Sequence, residues 1–203
     1  KHLILLFSVL FFLFAVSVSS GCFRKNESDV KSVVRNELDQ LKNLDSETTQ
    51  KYIPYTELFP DATENTDLTD EINETFSLFF RKFNYKISDV IVGTANHSAT
   101  VSVKLTTINS KVLARDFKAE LLRTQITESA QAQKGNIKDS SRSLEAHYLI
   151  LNHLLNTNDY DTAETDCNIQ LVNTGNDKKE KWKIQRTNSL EDDLVGGLIA
   201  DLA

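Results

Sequence analysis

Two cysteines, two prolines and six glycines in 203 residues leave several kinds of protein out of reach. So few Gly and Pro exclude collagen-like and linker-rich chains, and the two Cys can form one bridge at most. They show no Cys/His spacing of a metal site. Basic residues are also scarce, 23 against 29 acidic for a formal net charge of -6. A polyanion attracts basic surfaces, so no nucleic-acid partner is expected. There is no Gly-rich phosphate loop and no nucleophile elbow. What remains, 40% hydrophobic, 8% aromatic and 26% charged, is ordinary for a folded chain. The length suits one domain with appendages.

One long apolar run exists, and it lies at the beginning. Lys1 and His2 precede Leu3 to Val18, which passes through Ser19, Ser20 and Gly21 to Cys22. About 16 apolar residues fall short of the ~20 that a bilayer-spanning helix needs, and small residues at Ser19 and Gly21 suit a signal peptidase. Residues 1–21 therefore read as a signal peptide, against the alternatives of a core helix or a transmembrane anchor. No Met precedes Lys1, so the natural start is expected one residue upstream. Val18-Ser-Ser-Gly-Cys22 resembles a bacterial lipobox, with Ser19 where Leu is commonest. That resemblance implies cleavage between Gly21 and Cys22, acylation of the Cys22 thiol, and a place on the outer face of the cell membrane. Two or more acyl chains anchor a protein stably without a transmembrane helix. Residues 22–27 then read as a short tether and 28–203 as one domain.

If Cys22 is acylated, Cys167 has no partner within the chain. It alternates with Ala163, Ile169 and Leu171 on one face of a strand, which reads as core, where a free Cys behaves as a small hydrophobe. A Cys22–Cys167 disulfide is the competing reading and excludes lipidation at Cys22.

From Phe23 the periods alternate between helix and strand. Val30, Val33, Val34, Leu38 and Leu41 predict a helix over 28–43, capped by Asn26 or Ser28. A second helix is expected over 46–53, then loop from Pro54 to Asp67. A third, over 68–83, carries the stripe Ile72, Phe76, Phe79, Phe80 and Phe83. A hairpin follows, with Tyr85, Ile87 and Ile91 on one face and Val90 and Val92 on the other. It turns at Ala95-Asn96-His97 and returns through Ala99, Val101, Val103 and Leu105. Helices are predicted from Ser110, with Val112, Leu113, Phe117, Leu121 and Ile126, and over 140–156, with Leu144, Tyr148, Leu151 and Leu155. Strands over 162–172 and 180–187 form a second hairpin. Ser189 and Asp192 read as a capping box for a last helix reaching Leu198, interrupted by Gly196 and Gly197.

Two hairpins with intervening helices imply an α+β fold with a four-stranded antiparallel sheet. In Lys42 to Ile53, Val101 to Leu113 and Lys181 to Leu198 the chain resembles small NTF2-like (cystatin-like) cell-envelope lipoproteins of Gram-positive bacteria. The resemblance implies a curved sheet wrapped by helices around a conical cavity. Phe76, Phe80, Val101, Val103, Leu105, Phe117, Tyr148, Ile169, Leu171 and Trp182 are its expected lining.

Such a lining favours binding over catalysis. An NTF2-like isomerase or hydrolase needs a carboxylate or imidazole inside the cavity. His97 falls in a turn. His147 and His153, about 600° apart on one helix, read as exposed or boundary residues. Asp192 and Asp193 read as first-turn helix residues favoured by the dipole. The expected function is thus a non-enzymatic envelope lipoprotein that binds a small apolar ligand or an envelope protein or cell-wall partner, with no cofactor and no metal. An enzyme with Asp89 as cavity base is the alternative. A secreted domain without lipid is a third, since Asn26, Asn73 and Asn96 begin N-glycosylation sequons. Lys181, Lys183, Gln185 and Thr187 make the outward side of the last strand polar, so a homodimer through the sheet would have a polar interface.

Overall fold

The computed structural model describes residues 26–53, 58–59, 62, 68–93, 97–132, 143–175 and 180–203. The signal-peptide, lipobox and most tether positions lie outside them. Among the described residues no helix is long and apolar enough to cross a membrane. The architecture of the described residues is α+β: an open four-stranded antiparallel sheet in the order β1-β2-β3-β4, with seven helices among them. The first helix, α1, is described over 26–42. It is followed by α2 (Ser46–Tyr52), α3 (Thr69–Phe80), β1 (Asn84–Val92), β2 (Ser98–Ile108), α4 (Ser110–Ala132) and α5 (Leu144–Thr157). The chain closes with β3 (Thr162–Asn173), β4 (Trp182–Ile184), α6 (Asn188–Leu194) and α7 (Leu198–Leu202).

The described residues group into two compact units. One comprises those up to Asn36, with Ile87–Ser102 and Asn168–Gln185. The other comprises Glu37–Lys86, Val103–Cys167 and Arg186–Ala203.

In the first unit, Val30 and Val34 of α1 are buried at +4 spacing, and Ala99, Val101, Ile169, Leu171 and Trp182 supply the buried sides of the strands. Antiparallel pairing sets Leu171 opposite Ile184 and Asn173 opposite Trp182. The outward side is polar and bonded across the strands: Thr100 donates to Gln170 at 2.9 Å and Ser102 to Asn168 at 2.9 Å. Asn26 and Glu27 are already helical, so the helix begins at or before the last two residues assigned to the tether, and Asn26 is no cap on a helix starting at 28. On β1 the half-buried positions are Tyr85 and Ile87, then Val90 and Val92, while Ile91 is 60% exposed. The expected grouping of Ile91 with Tyr85 and Ile87 is corrected by this one-residue shift of phase, with Ser88 and Asp89 both outward.

In the second unit, α3 packs on α5, and α4 packs on α5 and α7. Capping follows from short polar side chains at the helix starts. Asp45 accepts from Thr48 N–H at 2.8 Å and Ser143 from Ala146 N–H at 3.1 Å. The predicted Ser189 capping box is overturned: Thr187 caps α6, accepting from Leu190 N–H at 3.2 Å, which puts Ser189 inside the helix and Asp192 and Asp193 beyond its first turn. Asp192 instead accepts from Ala200 N–H of α7 at 3.1 Å. β4 spans three residues where eight are predicted, because after Gln185 the chain turns toward the Thr187 cap.

Candidate functional site

All ten expected lining residues are buried, from Val101, Leu105 and Tyr148 at 0% exposure to Trp182 at 7%. The structure joins the aromatic ones of the second unit to Phe59, a ring from the stretch expected to be loop. Phe59 stacks on Phe117 at 5.1 Å between centroids, meets Tyr148 edge-on at 5.3 Å and lies 5.0 Å from His147. Phe76 stands 6.2 Å from Tyr148 and 6.4 Å from Phe80. Edge-on and stacked rings at such distances add favourable quadrupole contacts to plain area burial. The available signal for this cluster was the apolar pair Leu58-Phe59 set between Pro54 and Pro60, since loops seldom bury two large side chains. Val103 and Leu105 are buried in this second unit, and Val101, Ile169, Leu171 and Trp182 in the first.

His147 is 7% exposed and not at the boundary, a correction to the expected placement. Its Nδ1 lies 2.8 Å from the Ser143 carbonyl, four residues back, and its ring lies 5.8 Å from that of Phe117. Helical geometry explains the contrast with exposed His153, which faces away. Asp89, the alternative base, is exposed on β1, and His97 is exposed. No group of His, Cys, Asp and Glu able to hold a metal ion occurs among the described residues.

A surface pocket of about 310 Å3 opens between the α1–α2 turn and α3, lined by Leu44, Ser46, Thr49, Asn73, Glu74, Phe76 and Ser77. Phe76 is the one expected lining residue it includes. Leu44 holds φ 62°, the left-handed region, and is 42% exposed at the rim. Thr49 is committed to the Asp45 carbonyl at 2.9 Å. Glu74 is its one ionisable lining residue among those described, so it holds no acid–base pair of the kind general catalysis needs.

Two of the three sequons carry a residue already spent on packing. Asn26 is 8% exposed and donates to Glu180 at 3.0 Å, and Thr75 is 0% exposed with its hydroxyl donating to the Glu71 carbonyl at 2.8 Å. Asn96 lies outside the described residues.

Three buried groups have displaced ionisation. Burial, with Glu37 beside it, pushes the Tyr52 phenol far up, against a smaller opposing effect of Arg186. That hydroxyl meets no hydrogen-bond partner at bonding geometry among the described residues. Burial, with Asp116 adjacent, pushes Tyr160 up to about 12. Burial, then the Asp193 carboxylate, pushes the Cys167 thiol from 9.0 up to about 12. A thiol so held stays protonated and unreactive. Native protein is therefore expected to leave Cys167 unlabelled by iodoacetamide at pH 8, with labelling only after unfolding, read by mass; rapid native labelling contradicts the burial. Alkaline stability follows from the same shift. Below about pH 9 folded and unfolded thiols both keep the proton, whereas between about 9 and 12 the unfolded chain ionises first, so stability falls as pH rises through that window.

No family model, curated protein or solved structure gives a significant match to this chain.

Proposed function

We propose that this chain is a lipid-anchored extracytoplasmic protein with an NTF2-like domain that binds an apolar ligand or an envelope partner without transforming it. The observation that carries the reading is the segment Leu3 to Cys22, a short apolar run ending in small residues before cysteine. The interior supports binding over chemistry. Among the described residues, and with the Tyr52 hydroxyl as the exception, the buried polar side chains are engaged inside the scaffold: Asn26 with Glu180, Thr48 with Gln40, and Thr49 and Thr75 with helix carbonyls. Thr107 bonds the Ile108 carbonyl, Ser110 that of Gly196, His147 that of Ser143, and Glu191 pairs with Arg186. Groups spent in this way are not poised to move protons.

The test is the mass of the peptide that begins at Cys22, from protein purified out of bacterial membranes. A diacylglyceryl adduct is expected, and Cys22→Ser should release the chain from the membrane fraction. An unmodified Cys22, or one bonded to Cys167, overturns the reading.

A further inference from the structure

The pocket between the α1–α2 turn and α3 has a rim that folding alone does not explain. At the end of α1 the Asp45 N–H bonds the Gln40 carbonyl at 2.9 Å and the Leu44 N–H bonds that of Leu41 at 3.1 Å, the two bonds of a Schellman turn. Glycine ordinarily holds the left-handed position of such a turn, because a Cβ there crowds the following carbonyl oxygen. Leucine holds it here, at φ 62°. The Leu44 side chain is 42% exposed, so the core gains little from it. What it does is form an apolar wall of the pocket of about 310 Å3, together with Phe76 of α3.

The polar part of the lining accepts more readily than it donates. Thr49 gives its hydroxyl proton to the Asp45 carbonyl at 2.9 Å and Ser77 to the Glu74 carbonyl at 2.7 Å, so each keeps only lone pairs to offer a guest. Glu74 is exposed, and its carboxylate, an acceptor only, joins none of the ion pairs among the described residues. Lys42 and Lys51, the cations nearest in sequence to the α1–α2 wall, are spent elsewhere. Asn84 accepts from Lys42 at 2.9 Å, and both oxygens of Glu37 accept from Lys51 at 2.7 and 2.8 Å. The guest that suits this lining is rich in donors, carries positive charge and has an apolar body.

We propose that the pocket binds a small primary alkylammonium, with its head on Glu74 and its chain against Leu44 and Phe76. An ammonium brings three donors and no acceptor, the complement of what the lining offers. The volume lies at the small end of ligand pockets, which suits a short chain and not a long acyl one. The site shares only Phe76 with the lining expected from the sequence, and it does not rest on the lipid anchor.

The test is titration of the full chain with hexylammonium chloride, followed by amide NMR shifts. Saturable shifts at Ser46, Asn73 and Ser77 are expected, with a Kd on the order of 1 mM for so small a guest. Hexanoate, of the same length and opposite charge, should give none. Glu74→Gln keeps the side-chain volume and should weaken hexylammonium about fivefold, the upper end for an ion pair open to water. Leu44→Gly gives two readouts at once. It relieves the turn, so Tm should hold or rise, while loss of the apolar wall should lower the affinity several-fold. A leucine kept only for packing would instead lose Tm with no change in affinity. Shifts that do not saturate, equal binding of hexanoate, or full hexylammonium affinity in either variant overturns the proposal. None of these readouts involves Cys22, so failure here leaves the anchor standing, and an unmodified Cys22 leaves the pocket standing.

Discussion

Gly196→Ala is expected to destabilise the fold by about 3 kcal/mol, through two additive causes. Gly196 holds φ +65°, where a Cβ costs about 1–2 kcal/mol. That Cβ would also stand 2.2 Å from Thr107 Oγ1 and 3.2 Å from Thr107 Cβ. Thr107 is 1% exposed and has no room to withdraw, so overpacking adds about 1–3 kcal/mol. For a chain of this size the loss corresponds to roughly 6–12 °C in Tm. Gly197 provides the internal comparison. It holds φ +89°, but its nearest neighbour is Ser110 Oγ at 3.7 Å, ordinary contact, so Gly197→Ala should show the backbone cost alone. Thermal and urea melts of the two variants measure the difference. Thr107→Ala in the Gly196→Ala background should recover part of it, and equal stabilities for the two glycine variants would sink the packing argument.

Arg186→Gln is expected to cost about 2–3 kcal/mol. Glu191 is 5% exposed in the first turn of α6 and receives the Arg186 guanidinium, whose own side chain is half exposed. Removing the cation leaves a buried carboxylate without its partner, the expensive way to break a pair. Solvent around Arg186 screens part of the effect and places the estimate at the low end. Glu191→Gln should cost less, because the arginine left behind can turn to water. The double variant Arg186→Gln/Glu191→Gln should melt above Arg186→Gln alone. A double variant that melts lower than either single change contradicts the pairing.

Strong local periods were legible in the sequence. Val30, Val34, Leu38 and Leu41 recur at helical spacing and are all buried, and the alternation through Ala99, Val101, Val103 and Leu105 marks β2. Pattern marks an element's interior better than its ends. Ser189 resembled a cap as closely as Thr187, and only the backbone conformation at Thr187, φ -141° and ψ 152°, distinguishes them. In the candidate site, the ten apolar residues were legible as buried, because alternation or helical spacing aims each of them inward. Phe59 and His147 were not, since what buries them is each other, Phe117 and Tyr148, contributed by segments far apart in sequence.

By itself the sequence determined the α+β class, the four strands in two hairpins, the burial of Cys167 and the expectation of an anchor at Cys22. The first three depend on spacing within a few residues, where the period of the backbone is the only variable, and the anchor is what the resemblance of Val18 to Cys22 to a lipobox implies. Tertiary structure decided the rest. It set the phase shift that turns Ile91 outward, the enclosure of His147 by rings, and the clamp of Asn26 and Trp182 on Glu180, residues 154 positions apart in the first pair. It also set the close approach that reserves position 196 for glycine. Such contacts form where distant segments meet, and a carboxylate or a ring carries no mark in the sequence of which partner the folded chain will bring to it.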